Sequence, residues 1–156
     1  MGDGIVFTAM AATLLAIVTG IVAPIVLALR RRSLRALPLS AWTPECALFF
    51  GWYDARKLTD GAVHLFPQWV YVSIAVFFAA IGAFVALSFA TKPRRPNATE
   101  LAIVAGALWS GAGLARSGRL PIVADTLAVA IIAAAVTLAF MQIRPLFAQP
   151  DTTSPA

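Results

Sequence analysis

Four side chains in this chain are placed to do acid–base or ligand chemistry beside apolar sequence: Glu45, Asp54, His64 and Asp125. A carboxyl or imidazole group at membrane depth is expensive to keep ionised, so its presence there is by default a hypothesis of function, with a proton or cation relay as the reasonable role. The spacing of the four matches no catalytic pattern. The sequence contains no nucleophile motif, no glycine-rich phosphate loop and no pair of carboxyl groups within one apolar run. His64 is the only histidine and Cys46 the only cysteine. A haem or metal normally takes two or more ligands from its protein, so no catalytic residue, cofactor or metal site is expected. A single cysteine also rules out an intrachain disulfide.

Each of the four has a structural reading as well. Glu45 and Asp125 fall near helix starts, where a carboxylate complements the positive end of the helix dipole and can reach the interface. Asp54 alternates in sign with Arg56, Lys57 and Asp60, the pattern of a solvated loop with local pairing. His64 reads as an interfacial or loop histidine a few residues before an apolar helix.

The elements that must position these groups follow from composition. Hydrophobic residues make up 60% of the 156 and charged residues 12%, against about 45–50% and about 25% in soluble domains. With a mean hydropathy of +0.85, there is too little polar surface to clothe a globule in water. Residues 4–29, 61–91, 101–115 and 126–143 carry no Asp, Glu, Lys or Arg. Apolar runs of about 18 residues or more are the signature of helices crossing a bilayer. The expected fold is therefore an all-α integral membrane bundle of four transmembrane helices plus one short helix that is re-entrant or makes a fifth crossing. Residues 1–147 form one transmembrane domain, and the Pro-, Thr- and Ser-rich residues 148–156 are expected to be a disordered tail. The first run begins after Asp3 rather than a basic segment and exceeds the 7–15 residues of a signal core, so it reads as a retained span.

Small residues recur at four-residue spacing on every span, where they let another helix approach closely. The ladders are Ala12, Ala16 and Gly20 leading into Pro24; Ala75, Ala79 and Ala83; Ala102, Gly106 and Ser110; and Thr126, Ala130 and Ala134. Pro24 cannot donate to the carbonyl of Gly20, which predicts a bend. Trp69 and Tyr71, at the start of a second span over 66–90, suit the headgroup level. Asn97 and Glu100 match a loosened capping box opening a third span over 97–118. Ser117, Gly118 and Pro121 then turn the chain into a fourth over 122–143, giving an antiparallel hairpin. Residues 37–53 are the awkward segment. Thr43, Pro44 and Glu45 predict a helix start, and the helix is then apolar all round from Cys46 to Tyr53.

The net charge of +5 comes from basic residues beside apolar runs, which points to orientation by the positive-inside rule and to anionic lipid rather than nucleic acid. Arg30, Arg31, Arg32 and Arg35 and the cluster Lys92, Arg94 and Arg95 should share the cytoplasmic side. They can do so only if residues 37–53 also cross, which gives five crossings with the N-terminus outside and the C-terminus inside. Four crossings with a re-entrant or surface helix divide the basic residues equally well between the two sides, so total charge does not arbitrate. The expected location is a cytoplasmic or inner membrane. The plan suits an accessory or assembly subunit of a larger membrane complex, with Phe49, Phe50, Trp52, Tyr53 and the aromatic side of the second span as partner or lipid surface. The alternatives are a self-oligomerising small transporter, pore or holin-like protein, or a membrane enzyme gathering Glu45, Asp54 and His64 at one interface.

Overall fold

A computed structural model describes residues 2–32, 39–60 and 65–148. His64, Arg35 and the tail from 149 onward lie outside them. Among the described residues there are five α-helices: α1 (Gly2–Arg30), α2 (Thr43–Thr59), α3 (Gln68–Thr91), α4 (Ala98–Ser117) and α5 (Pro121–Phe147), with a 3₁₀ turn (Leu39–Trp42) leading into α2. Helices α1, α3, α4 and α5 are long and apolar enough to span a membrane. In lipid the backbone must satisfy its own hydrogen bonds, and a helix does so within one segment.

The ends follow local chemistry. Asn97 accepts from the Glu100 amide while the Glu100 carboxylate accepts from the Asn97 amide, completing the expected capping box. Arg94 forks onto both oxygens of the same carboxylate. The α4–α5 turn closes as expected, with its one left-handed residue at Arg119 (φ 60°) rather than at Gly118. The start of α2 differs from expectation. Its Pro44 sits in the first turn, but no side chain caps the helix, because the 3₁₀ turn feeds directly into it.

Contacts between named residues fix the directions. Gly20 of α1 meets Glu45 of α2, Leu58 of α2 clusters with Tyr71 of α3, and Gly82 of α3 meets Ala107 of α4. Each helix therefore runs opposite to the one before it. One end of the bundle holds Asp3, Asp60, Arg116 and Arg119; the other holds Arg30, Glu45, Lys92, Arg94 and Arg144. Helix α2 is parallel to α4: Ala47 and Gly51 lie against Gly106, and Ala55 against Gly113. Helices α1, α5, α4 and α2 form a ring in which each touches the next. The diagonal pairs α1/α4 and α2/α5 make no backbone-level contact among the described residues, and α1/α2 is the loosest seam. Helix α3 stands outside the ring against α4 and, more lightly, α2.

Two of the small-residue ladders face where they were expected. Ala12, Ala16 and Gly20 are buried in α1, and Ala102, Gly106 and Ser110 in α4. The other two need correction. In α3 Ala75 is buried, Ala79 half-buried and Ala83 exposed, and the packed face runs Tyr71, Ala75, Gly82. In α5 Thr126 is exposed and Ala130 half-buried; Ala134 is buried beside Ala124, Ala128, Ile131, Ala135 and Leu138. The cause is geometric. Four-residue steps overshoot a turn of 3.6 residues, so a strict ladder stays buried only where the contact face is wide, as in α1 and α4 of the ring, and leaves it in α3 and α5, where alternating steps of three and four follow the face. Tyr71, in the first turn of α3, is buried against Leu58 and Leu114.

A Cβ added to Gly51 would overlap the backbone of Gly106, so α2 and α4 meet at backbone distance. Gly51→Ala is expected to cost about 1–3 kcal/mol through overpacking, read as a lower unfolding midpoint in detergent. Gly4→Ala, with open space around its Cβ, should be neutral or stabilising by up to about 1 kcal/mol through helix propensity. Equal midpoints for Gly51→Ala and the wild type would disprove the close approach.

Candidate functional site

Polar side chains bridge both diagonals of the ring. Trp109 of α4 reaches across to α1, where its Nε1 donates to Thr13 Oγ1 at 2.9 Å in a buried bond. Gln142 of α5 reaches across to α2, donating from Nε2 to Oε1 of Glu45 at 2.5 Å. Thr19 of α1 in turn lies 3.0 Å from Oε1 of Gln142 and can donate to it. Hydroxyl, amide and carboxyl thus form a chain from α1 through α5 to α2.

Glu45 reaches this position because of Gly20. Its carboxylate lies where a Gly20 side chain would be: a Cβ there would overlap Oε1 of Glu45 and come within 2.5 Å of Gln142 Nε2. The expectation that Glu45 reaches the interface is therefore corrected. It is only 5% exposed, and its Oε2 has no hydrogen-bond partner among the described residues. No Lys or Arg pairs with it among the described residues, and Arg30 donates instead to the carbonyl of Leu146. Its compensation is the positive end of α2, in whose first turn it sits, together with the Gln142 amide.

Asp54 requires a second correction. The segment read as a solvated loop is the last part of α2. Arg56 and Asp60 do pair at 3.0 Å, at exposed positions, but Asp54 is 3% exposed and neither oxygen has a partner among the described residues. Nine residues at 100° per residue place Asp54 on the face of α2 opposite Glu45. It lies one turn before Leu58, on the side that meets α3 and α4, and so is off the ring axis. Glu45 and Asp54 do not converge, and His64, the third residue of the interfacial cluster the enzyme reading named, lies outside the described residues. Asp125 is half-buried in α5, near the Asp3 end, and away from both. Among the described residues no three His, Cys, Asp or Glu side chains come together.

Sequence reasoning missed Gln142, Thr19, Thr13 and Trp109, and singled out Ser110 only as a packing residue. Ser110 is fully buried and its Oγ has no partner among the described residues. The usable signal for Gln142 was that it is the one amide in the apolar run 126–143.

A cleft of about 380 Å³ opens into the ring at the Asp3 end, with Met10, Trp52 and Trp109 among its walls and Arg56, Asp60 and Arg116 at its mouth. The axis therefore carries, in order, the cleft, the Trp109–Thr13 bridge, and the Thr19–Gln142–Glu45 chain near the Arg30 end.

An unpartnered buried carboxylate destabilises a fold more than its neutral amide does. Asp54→Asn should accordingly raise the unfolding midpoint, by the equivalent of about 1–2 kcal/mol, and Gly20→Ala should lower it by displacing Glu45. An Asp54→Asn protein less stable than the wild type would mean that Asp54 has a partner in the folded state. Comparison with protein-family models, with curated proteins and with solved structures gives no match for this chain.

Proposed function

We propose that this protein is a small membrane transporter that passes protons along the axis of its four-helix ring, with Glu45 as the proton-binding group. One observation carries the reading: a buried carboxyl without a cationic partner among the described residues lies on the axis, joined through Gln142 to Thr19. A bundle needing only to stand in lipid would gain by replacing these groups with apolar ones. The Thr19–Gln142–Glu45 chain opens toward the basic end, and the cleft gives water access from the other. The Trp109–Thr13 bridge between them is the natural barrier.

The proposal includes α2 as a fifth crossing in a cytoplasmic or inner membrane, with the N-terminus outside. Supporting this, α2 runs beside α4 between the same two ends; its 17 residues cover about 25 Å at 1.5 Å per residue, and the 3₁₀ turn extends it. Arg30, Arg31, Arg32, Lys92, Arg94, Arg95 and Arg144 then share the cytoplasmic side, as the positive-inside rule prefers. Arg56, Lys57, Arg116 and Arg119 lie opposite. With Cys46 replaced by serine, cysteines introduced at Arg32 and Lys92 should label from one side of the membrane and a cysteine at Lys57 from the other. Labelling of Arg32 and Lys92 from opposite sides would exclude five crossings.

The transport reading is tested in vesicles containing the purified protein, an internal pH dye and an imposed potassium diffusion potential. Wild-type vesicles should show potential-driven proton flux. Glu45→Gln should reduce it on the order of a hundredfold, the lower range for loss of a positioned proton-transfer group, while Asp54→Asn retains it. Undiminished flux in Glu45→Gln would remove the basis of the proposal.

A second reading, an accessory or assembly subunit held among other membrane proteins or its own copies, is favoured by α3. That helix contacts the rest through a narrow face and presents Trp69, Phe77 and Phe84 outward, Phe84 at 75% exposure. Stoichiometric unlike subunits recovered with the protein from mild detergent would support it, and a monomer without flux would count against both readings.

A further inference from the structure

We propose that the cleft at the Asp3 end of the ring is a binding site for a single-chain amphiphile with an anionic head group. The inference does not rest on the proton path, although a ligand seated in the cleft would occlude the water access that path uses; quenching reads the cleft and flux reads Glu45, so failure of one is distinguishable from failure of the other.

The cleft exists because α2, α4 and α5 present small residues at this level. Ala55 and Gly113 bring α2 against α4, but Ala112, Ala124 and Ala128 leave the axis unfilled. Trp109, bonded to Thr13, closes the floor. The volume of about 380 Å³ lies in the range of small-molecule sites and corresponds to roughly a dozen groups of water size, enough for one chain of moderate length. Met10, Trp52 and Trp109 supply apolar walls.

The mouth differs in chemistry from the walls. Arg56 and Arg116 both stand there. Arg56 pairs with Asp60 at 3.0 Å and lies over the Trp52 ring, 5.9 Å from its centroid, which holds the guanidinium at the rim. Arg116 pairs with Asp3 at 3.1 Å, and Asp3 is 99% exposed. Exposed pairs of this kind exchange at little cost. With Asp3 displaced, two guanidinium groups face one carboxylate, Asp60, and the mouth is left with a surplus positive charge. Guanidinium groups take carboxylate or phosphate oxygens through paired hydrogen bonds. An apolar shaft beneath such a mouth fits a ligand with an acyl body and an anionic head.

The test uses tryptophan quenching. Trp42→Phe/Trp69→Phe leaves only Trp52 and Trp109, both at the cleft, of the four tryptophans. The full chain carrying these changes is titrated in nanodiscs with a brominated fatty acid, the brominated fatty alcohol of equal length, and brominated phosphatidylcholine. The acid should quench saturably and bind at least roughly tenfold more tightly than the alcohol, the scale of one charge-assisted hydrogen bond. Arg56→Gln/Arg116→Gln, at exposed positions that leave the core intact, should abolish that advantage without changing the alcohol's effect. Ala128→Leu should block both single-chain probes by filling the shaft. Equal quenching by acid and alcohol, indifference to the arginine changes, or equal quenching by phosphatidylcholine would each overturn the proposal, the last by showing that bulk lipid fills the cleft.

Discussion

The backbone-distance contact between α2 and α4 is the constraint on which the remaining structure depends. Helix α2 is the shortest of the five and the one that fails the length and hydropathy needed to span alone. It is held beside α4 by Gly51 against Gly106 and Ala55 against Gly113. In lipid, helix association gains little from burying apolar surface, so close van der Waals contact between small residues must supply the attraction. That contact places the most polar helix inside the bundle and sets its rotation. Its rotation in turn sends Glu45 to the ring axis and Asp54 to the α3 side.

Once α2 is seated, the ring is square enough that its diagonal helices do not touch through their backbones. Long polar side chains fill the space: Trp109 reaches Thr13, and Gln142 reaches Glu45. Toward the Asp3 end Ala55, Ala112, Gly113, Ala124 and Ala128 leave the axis unfilled, the exposed Arg116–Asp3 pair spans the α1/α4 diagonal at the mouth, and a cleft remains beneath it. The same small residues therefore have opposite consequences at different levels. Between neighbouring helices they allow contact; on the axis they leave volume. Both consequences follow from side-chain size alone, without any change in apolar character.

Much of the architecture was legible in the chain. The charge-free runs located four helices to within a few residues, Asn97 and Glu100 fixed the start of α4 through hydrogen bonds local to the segment, and Ser117 to Pro121 marked the α4–α5 turn. The faces were less legible. Ala83 and Thr126 belong to regular ladders yet lie exposed, while Gly82 and Ala128, one or two positions away, carry the packing. Asp54 was obscured by its charged neighbours: Arg56 and Asp60 do form the expected exposed pair, and only the turn of the helix separates them from a buried carboxylate.

Sequence by itself determined the solvent class, the helix limits, the positions of the basic clusters and the small residues available for contact. These are local or compositional properties, settled by the cost of placing backbone and charge in hydrocarbon. Tertiary structure decided which face of each helix turns inward and which polar groups meet. A helix in lipid is apolar on its inner and outer faces alike, so periodic hydrophobicity, which orients a helix in a soluble protein, carries little information. The pairing of Glu45 with Gln142 joins residues 97 positions apart, and that of Thr13 with Trp109 joins residues 96 apart. Those distances are closed only by the packing of small residues between intervening helices, which is why Glu45 reads as an ordinary helix-start carboxylate in the chain and as an axial group in the fold.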